Sequence, residues 1–354
     1  MEMKLAENIR SFRKDRGLTQ EQLAEVLGVT VGAVHKWEAK LSTPELGLIT
    51  EMADFFDVSV DVLLGYRMKD HRLDAAVEQL TGYINTEDPE GPAEAEKALK
   101  RFPHSFEIVY LSAILLMLSG GKSHDGKQLN RAFGLLEQSL VLLPQNTNPY
   151  ISDISIYHYM ASVQIMQGRG DLAAELLKQH NREGIYNDLI GMTLSVVCAR
   201  PEESQPFLSQ ALLDCLAKTV QTILGKAYAY TLTGDYESAE SLLSWGLQML
   251  DGLKQPEVTG YIDQTCSFLN LLLAFVYLKK GYQAQAENTL RRSLELALQF
   301  DSQPNYDARS VRFVEKADQF FLHYILGHTV RDSLAFLVGL IADEQLATLW
   351  KEMT

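Results

Sequence analysis

Apolar residues recur every three or four positions along most of the chain, which is the spacing of an amphipathic α-helix. At the start, Leu5, Ile9 and Phe12 fall on one face of a predicted first helix that Gly17 ends. No segment shows a convincing strand-like alternation, and only ten prolines interrupt the pattern. The sequence therefore predicts an all-α fold.

The first 66 residues divide into five short predicted helices. Thr19 caps the second helix with Gln22 as its capping-box partner, and the third begins at about Thr30. Pro44 and Ser59 open the last two helices. We therefore predict that residues 1–66 form one compact module.

A linker is expected after this module, at residues 67–92. The pattern predicts a helix at about Met68–Ile84, followed by an exposed hinge loop, Asn85–Pro92, that is rich in proline, glycine and acidic residues.

An internal repeat follows the hinge. Three segments share an alanine, a glycine seven residues later and a second alanine five residues after that. The copies are Ala161, Gly168 and Ala173; Ala227, Gly234 and Ala239; and Ala274, Gly281 and Ala286. Small residues let paired helices cross closely, and glycine permits the left-handed turn between them. The pattern resembles the tetratricopeptide repeat, which implies an α-solenoid over residues 93–300.

The remaining helical segments fit this array less regularly. We predict a long inserted turn at Gly120–Asn130 and a further hairpin at Ile185–Leu216. Residues 301–354 are expected to give two apolar helices, at about Ser310–Gly327 and Arg331–Glu352, that cap the stack or form dimer contacts.

The string from Leu18 to Glu38 resembles the helix-turn-helix of the Xre or Cro family of phage-repressor-like regulators. The residues that carry the match are Ala24, Gly28, Val34, the Trp37-Glu38 pair and, further on, Val58–Gly65. The resemblance implies a five-helix, lambda-repressor-like DNA-binding domain whose third helix lies in the major groove.

The same resemblance implies contact residues. Its base-reading positions correspond to Thr30, Val31, Gly32, His35 and Lys36. Gln20 corresponds to a phosphate contact, Lys40 could hold the other side of the groove, and Arg13 with Glu38 corresponds to an internal ion pair. Because Val31 and Gly32 offer few hydrogen bonds, we expect DNA shape to contribute to recognition. His35 could equally be a solvated surface residue.

Charge restricts how DNA could be bound. The chain has a formal net charge of −14, so any nucleic-acid contact must come from a local patch. Residues 1–66 hold seven basic and eleven acidic residues, with the bases concentrated at 10–16 and 36–40. One such module would bind weakly, whereas two copies on half-sites about 34 Å apart would compensate. We therefore expect a homodimer.

The repeats predict a second binding surface. Tetratricopeptide arrays bind along their concave face, where an extended peptide or a protein partner could dock. In the register above, that face would include His158, Ser162, Gln221, Tyr228, Thr231 and Phe275. The combination with a DNA-binding module resembles the peptide-sensing regulators of Gram-positive bacteria. The alternative is an interaction scaffold in which the helix-turn-helix does not bind DNA.

Other classes of protein are disfavoured. Cys198, Cys215 and Cys266 form neither a disulfide framework nor a metal-spaced cluster. The sequence lacks a phosphate-binding glycine loop, a metalloprotease motif and a nucleophile elbow. The longest apolar stretches fall short of the roughly 18 residues of a membrane span. We expect a cytoplasmic protein that is not an enzyme, has no cofactor or metal, and does not enter a membrane.

Overall fold

The computed structural model describes residues 4–66, 71–317 and 328–354. Within these ranges the chain forms eighteen α-helices and no extended strand, so the predicted all-α fold is confirmed. The helices are α1 (Leu5–Asp15), α2 (Gln20–Val26), α3 (Val31–Glu38), α4 (Leu46–Phe56), α5 (Val60–Leu64), α6 (His71–Thr86), α7 (Gly91–Arg101), α8 (Phe106–Ser123), α9 (Gly126–Leu142), α10 (Asp153–Met166), α11 (Gly170–Gln179), α12 (Asn187–Met192), α13 (Pro201–Leu232), α14 (Tyr236–Leu253), α15 (Tyr261–Lys279), α16 (Gln283–Ser302), α17 (Val330–Ile341) and α18 (Glu344–Met353).

The five predicted N-terminal helices are present, and side chains cap three of them. The Gln22 amide N–H donates to the Thr19 hydroxyl at 3.2 Å, and the Thr19 N–H donates to the Gln22 side chain at 2.8 Å. The Thr30 and Ser59 hydroxyls cap α3 and α5 by accepting from the N–H groups of Ala33 and Val62. These caps satisfy helix N–H groups that would otherwise lack a partner, and so fix where each short helix begins.

The chain divides into two compact units, residues 1–180 and 181–354. In the first unit, one core lies among α1–α5 and another among α6–α10, with Val62 of α5 buried in the second core. In the second unit, a single core joins α13–α18. The predicted limits at residues 66, 92 and 300 separate the DNA-binding module, the linker, the repeats and the C-terminal helices. The division at residue 180 does not test them, so they stay predictions.

The helical repeat takes the form of packed hairpins. The α10–α11, α13–α14 and α15–α16 pairs turn at Gly168, Gly234 and Gly281, all with φ between +71° and +81°. All six alanines of the repeat pattern are completely buried. The small residues therefore lie inside the hairpins, where close helix packing requires them.

The predicted long turn at Gly120–Asn130 is wrong. Helix α8 continues to Ser123 and α9 begins at Gly126, so only two residues separate the helices. A Cβ on Gly120 would lie 3.1 Å from side-chain atoms of α9. This glycine allows α8 and α9 to pack closely and does not end a helix.

Other boundaries also differ from the prediction. The predicted hinge at Asn85–Pro92 is shorter, because α6 continues to Thr86 and α7 starts at Gly91. The start of the predicted linker helix, 68–70, lies outside the described residues. The hairpin predicted at Ile185–Leu216 does not end there, since α13 runs on to Leu232.

The C-terminal prediction is only partly correct. Residues 311–317 are not helical, and the rest of the helix predicted at Ser310–Gly327 lies outside the described residues. The segment predicted as one helix at Arg331–Glu352 is two helices, α17 and α18. Ala342 adopts a left-handed conformation between them, and the Asp343 carboxylate caps α18 by accepting from the Leu346 N–H.

Helices α8 and α15 are long and apolar enough to cross a membrane, by length and composition alone. Within the 18-residue windows that meet this test, 56% of α8 and 83% of α15 is buried inside the protein. Buried core helices meet the same criterion, so the two helices are weak evidence for a membrane span.

Candidate nucleic-acid interface

Helix α3 has one buried face and one exposed face. Val34 is fully buried and Trp37 is 6% exposed, and both belong to the core of the N-terminal module. The candidate base-reading residues Thr30, Val31, Gly32, His35 and Lys36 are all exposed. The Thr30 hydroxyl accepts a hydrogen bond from the Ala33 N–H at 3.3 Å, so this side chain also caps the helix. The packing leaves the outer side of α3 open.

A polar network connects α3 to α1 and α2. Arg13 donates to the two carboxylate oxygens of Glu38 at 2.5 and 2.9 Å, and its remaining terminal nitrogen donates to the Leu18 carbonyl oxygen at 2.7 Å. The Gln20 side-chain amide donates to Glu38 at 2.8 Å. The Arg13 and Glu38 side chains are only 11% and 5% exposed. A bidentate pair of this kind fixes both the position and the rotation of α3.

The network shifts the ionisation of both charged groups. Burial raises the pKa of Glu38, but the hydrogen bonds from Arg13 and Gln20 outweigh burial, and the pKa stays below its ordinary value of 4.5. The hydrogen bond to Glu38 raises the pKa of Arg13. Both groups therefore stay charged at neutral pH.

Gln20, the expected phosphate contact, is part of the polar network. It is half-buried on the first turn of α2, and its amide is hydrogen-bonded to Glu38. A phosphate contact from Gln20 would have to use its second amide proton, because phosphate oxygens only accept hydrogen bonds.

Lys40 follows α3 in a left-handed conformation, with φ of +60°. Its ammonium group lies 2.9 Å from the Glu7 carboxylate of α1 and lowers the pKa of that carboxyl. Both side chains are more than half exposed, so the pair is weak in water and Lys40 can exchange this partner for a phosphate.

Arg10 is a residue that the sequence analysis did not single out. It lies on α1 and lines a shallow pocket with Arg13, Gln20, His35 and Glu38. The three-residue spacing of Arg10 and Arg13 in the sequence could have indicated that Arg10 lies near this network, because residues three apart lie on the same side of a helix. Arg10 and His35 bring positive or protonatable groups to the edge of the exposed face of α3.

The candidate peptide-groove residues lie in different units and differ in exposure. His158 and Ser162 are on α10 of the first unit; Gln221, Tyr228 and Thr231 are on α13 and Phe275 is on α15 of the second. Thr231 and Phe275 are only 5% and 4% exposed, so their assignment to an open binding face is wrong. The Thr231 hydroxyl donates to the Ala227 carbonyl oxygen, and Phe275 packs in the core because α15 is covered on all sides.

Comparisons with known proteins match the N-terminal module. The helix-turn-helix family matches residues 9–63. The HTH-type transcriptional activator BcrR of Enterococcus faecalis is 39% identical over 62 residues, which cover 18% of this chain and 30% of that protein. The uncharacterized HTH-type transcriptional regulator YazB of Bacillus subtilis (strain 168) is 38% identical over 55 residues, which cover 16% of this chain and 80% of that protein.

One solved structure is similar over most of the chain, at low identity. The crystal structure of Bacillus thuringiensis PlcR in complex with the peptide PapR7 and DNA is 16% identical, covering 86% of this chain and 100% of that chain. The TM-score is 0.24, which is too low to support a conclusion about this protein.

Proposed function

This chain belongs to the HTH-type transcriptional regulators, and from that premise we propose that it binds double-stranded DNA through α3 and regulates transcription. One observation carries the proposal: α3 is locked on its inner side by Trp37 and the Arg13–Glu38 pair, and is exposed along its outer side. A rigid helix with an open outer face can enter a major groove without unfolding its support.

The exposed side chains suggest how bases would be read. Lys36 can donate to guanine O6 and N7, and the methyl groups of Val31 and Thr30 can contact a thymine methyl. Gly32 adds no side chain and lets the groove approach the helix closely. With so few hydrogen-bonding groups, much of the specificity would come from groove width and deformability. Lys40 and Gln20 would hold the phosphates on either side.

The working form in this proposal is a cytoplasmic homodimer without enzymatic activity or cofactor. A single module with so few basic residues gains little from counterion release, whereas two modules bound to paired half-sites combine their affinities.

The repeats would supply the regulatory input. Exposed His158 with half-buried Ser162 in the first unit remains one candidate contact set for an extended peptide or protein partner. Exposed Gln221 with half-buried Tyr228 is a separate candidate set in the second unit. An effector that binds one arrangement of the repeats more tightly than another would shift the population of DNA-binding forms.

Selection of genomic DNA fragments by the purified chain, followed by sequencing, tests the proposal. The expected result is enrichment of one motif with two half-sites about one helical turn apart. Absence of any enriched sequence would favour the interaction scaffold. A parallel selection with culture extract added would show whether an effector changes the recovered fragments.

A further inference from the structure

The shallow pocket beside α3 carries positive charge that its own lining does not balance. The pocket, called the α1–α3 pocket below, is lined by Arg10, Arg13, Gln20, His35, Glu38 and Ala39. Glu38 is the one acidic residue among these six. Both of its carboxylate oxygens already accept from Arg13, and Gln20 donates to it as well. The charge of Arg10 therefore stays unbalanced in this lining, on a chain with a formal net charge of −14.

Arg10 and His35 are available for a ligand. The Arg10 side chain is exposed on α1 and makes no hydrogen bond or ion pair with another residue that the structure describes. Glu7, one turn earlier on α1, bonds to Lys40 instead. The His35 imidazole is also exposed, and it has no hydrogen-bond partner in the described part of the chain. Unlike Lys40 and Gln20, these two groups can bind an anion without first giving up another contact.

The α1–α3 pocket lies at the edge of the helix face that is expected to read bases. Consecutive residues point about 100° apart around an α-helix, so His35 and Lys36 cannot both point to the middle of that face. The pocket includes His35 and not Lys36, which places His35 on the side of α3 that faces α1 and α2. When a helix lies in the major groove, its outermost side chains reach the bases and its flanks meet the sugar-phosphate backbone.

The size and the donors of the pocket fit a phosphate group. Its volume of about 200 Å³ is many times the roughly 10–15 Å³ that a single water needs. The pocket is open to solvent, so one phosphate of a polymer can enter while the rest of the polymer stays outside. A guanidinium presents paired N–H donors that match phosphate oxygens, and a protonated imidazole adds a further charged donor.

We propose that the α1–α3 pocket holds a phosphate of the DNA backbone, bound by Arg10 and, when its imidazole is protonated, by His35. The inference rests on the proposed DNA-binding function and adds a backbone site to it. It also changes the role expected of His35 from a base contact to a backbone contact. Since phosphates carry no sequence information, this part of the binding is independent of sequence but depends on pH.

The pH dependence comes from His35 because the charged groups around it keep their charge. Burial raises the pKa of Glu38, but hydrogen bonds from Arg13 and Gln20 keep it below 4.5, and the bond to Glu38 raises the pKa of Arg13. The Arg10 guanidinium does not deprotonate in proteins, and α2 contributes only the uncharged Gln20 to the pocket. An imidazole, by contrast, exchanges a proton near pH 6.5.

The salt dependence of DNA binding tests the Arg10 contact. The full chain is titrated onto a selected DNA fragment by fluorescence anisotropy, between about 50 and 200 mM salt at about pH 8. Arg10→Gln should reduce the slope of log affinity against log salt by about 0.9 for each bound chain. Lys100→Gln, which removes an equal charge from exposed α7, should keep the wild-type slope. Arg10→Lys should keep most of it, because the charge remains.

A duplex of scrambled sequence separates a backbone contact from a base contact. Arg10→Gln should weaken binding to the selected fragment and to the scrambled duplex by the same factor. Lys36→Ala, which removes an expected base contact, should weaken binding mainly to the selected fragment.

A second titration at about pH 5.5 tests His35. In the wild type the slope should be steeper than at about pH 8, by up to about 0.9 for each bound chain, because the protonated imidazole adds one contact. His35→Gln should remove this difference between the two pH values, whereas Arg10→Gln should retain it.

The proposal is overturned if Arg10→Gln keeps the helical circular dichroism and also the salt slope of the wild type, or if the pH difference persists in His35→Gln. A free anion is the other source of phosphate chemistry. Inorganic phosphate without DNA should raise the melting temperature no more than chloride does at equal ionic strength. A specific rise that Arg10→Gln removes would assign the pocket to a free anion and overturn the proposal.

Failure of this site and failure of the regulator give different results. A wild type that binds neither duplex refutes both proposals. Sequence-specific binding by the wild type, with the same salt slope in Arg10→Gln, refutes the phosphate site alone.

Discussion

Glu38 connects three helices of the N-terminal module through one carboxylate. It accepts from Arg13 of α1 and Gln20 of α2 while it belongs to α3, and its side chain is almost fully buried. Removing one member of a buried ion pair leaves the other charge without compensation, which costs more than the pair contributes. The orientation of α3 therefore depends on this residue.

Glu38→Gln should destabilise the module by about 3 kcal/mol, because the buried Arg13 guanidinium loses its counter-charge. Hydrogen exchange followed by mass spectrometry measures this as faster exchange of the α3 amides in the full chain. The exposed Glu25→Gln on α2 is the control and should exchange as the wild type does. Equal protection of α3 in the Glu38 variant would contradict a structural role for the pair.

The lowered pKa of Glu38 predicts a pH dependence of stability. Because the folded pKa lies below the ordinary value of 4.5, the pair contributes fully above that pH, and the contribution is lost as pH falls through the folded pKa. The difference in free energy of unfolding between the wild type and Glu38→Gln should therefore shrink below pH 4.5 and disappear in stronger acid. Thermal melts from pH 7 to pH 3 measure it, and a difference independent of pH would contradict the assignment.

At the scale of the helix, the turn glycines and the interior glycines have different requirements. Gly234 ends α13 with φ of +81°, a conformation that L-residues rarely adopt. Gly225 lies inside the same helix, exposed, with nothing within 4 Å of an added Cβ. Only the first position needs glycine.

Two alanine substitutions, one within α13 and one in the turn after it, should therefore have opposite effects. Gly234→Ala should lower the free energy of unfolding by about 1 kcal/mol through strain in the left-handed turn. Gly225→Ala should raise it by about 1 kcal/mol, because alanine is the better helix former. Urea denaturation of the full chain measures both. Destabilisation of equal size at the two positions would mean that the turn geometry is not what matters.

The sequence predicted the helices whose signals are local. Thr19 with Gln22 predicted a cap, and the spacing of alanine and glycine predicted three hairpins, because both patterns reflect contacts close along the chain. The long turn was wrongly predicted at Gly120, because this glycine allows close packing against α9 and does not form a turn. The break at Ala342 was missed, because alanine carries no turn signal of its own.

At the scale of the whole molecule, the contacts that decide the structure join distant parts of the chain. The hydrogen bond between Glu315 and Ser209 links residues more than 100 positions apart, so no local pattern could have predicted this contact. Within the candidate interface, the exposed positions of α3 were predicted from the resemblance, whereas the position of Arg10 beside them follows only from packing.

The proposed homodimer makes a prediction about stoichiometry. Light scattering of the chain bound to a selected DNA fragment should give the mass of two chains per duplex, because one acidic module has too few basic residues for stable binding alone. A fragment that carries one half-site should bind much more weakly. A complex with one chain per two-half-site fragment would contradict the dimer.

The most direct measurement of the central claim is a fluorescence anisotropy titration of a selected DNA fragment with the wild type, Lys36→Ala and Lys100→Ala at one fixed salt concentration. If α3 reads the DNA, Lys36→Ala should weaken binding by about 5- to 150-fold, as expected for loss of a base contact worth about 1–3 kcal/mol. Lys100→Ala, which removes an equal charge from exposed α7, should change the affinity little. Equal effects of the two substitutions would contradict recognition by α3.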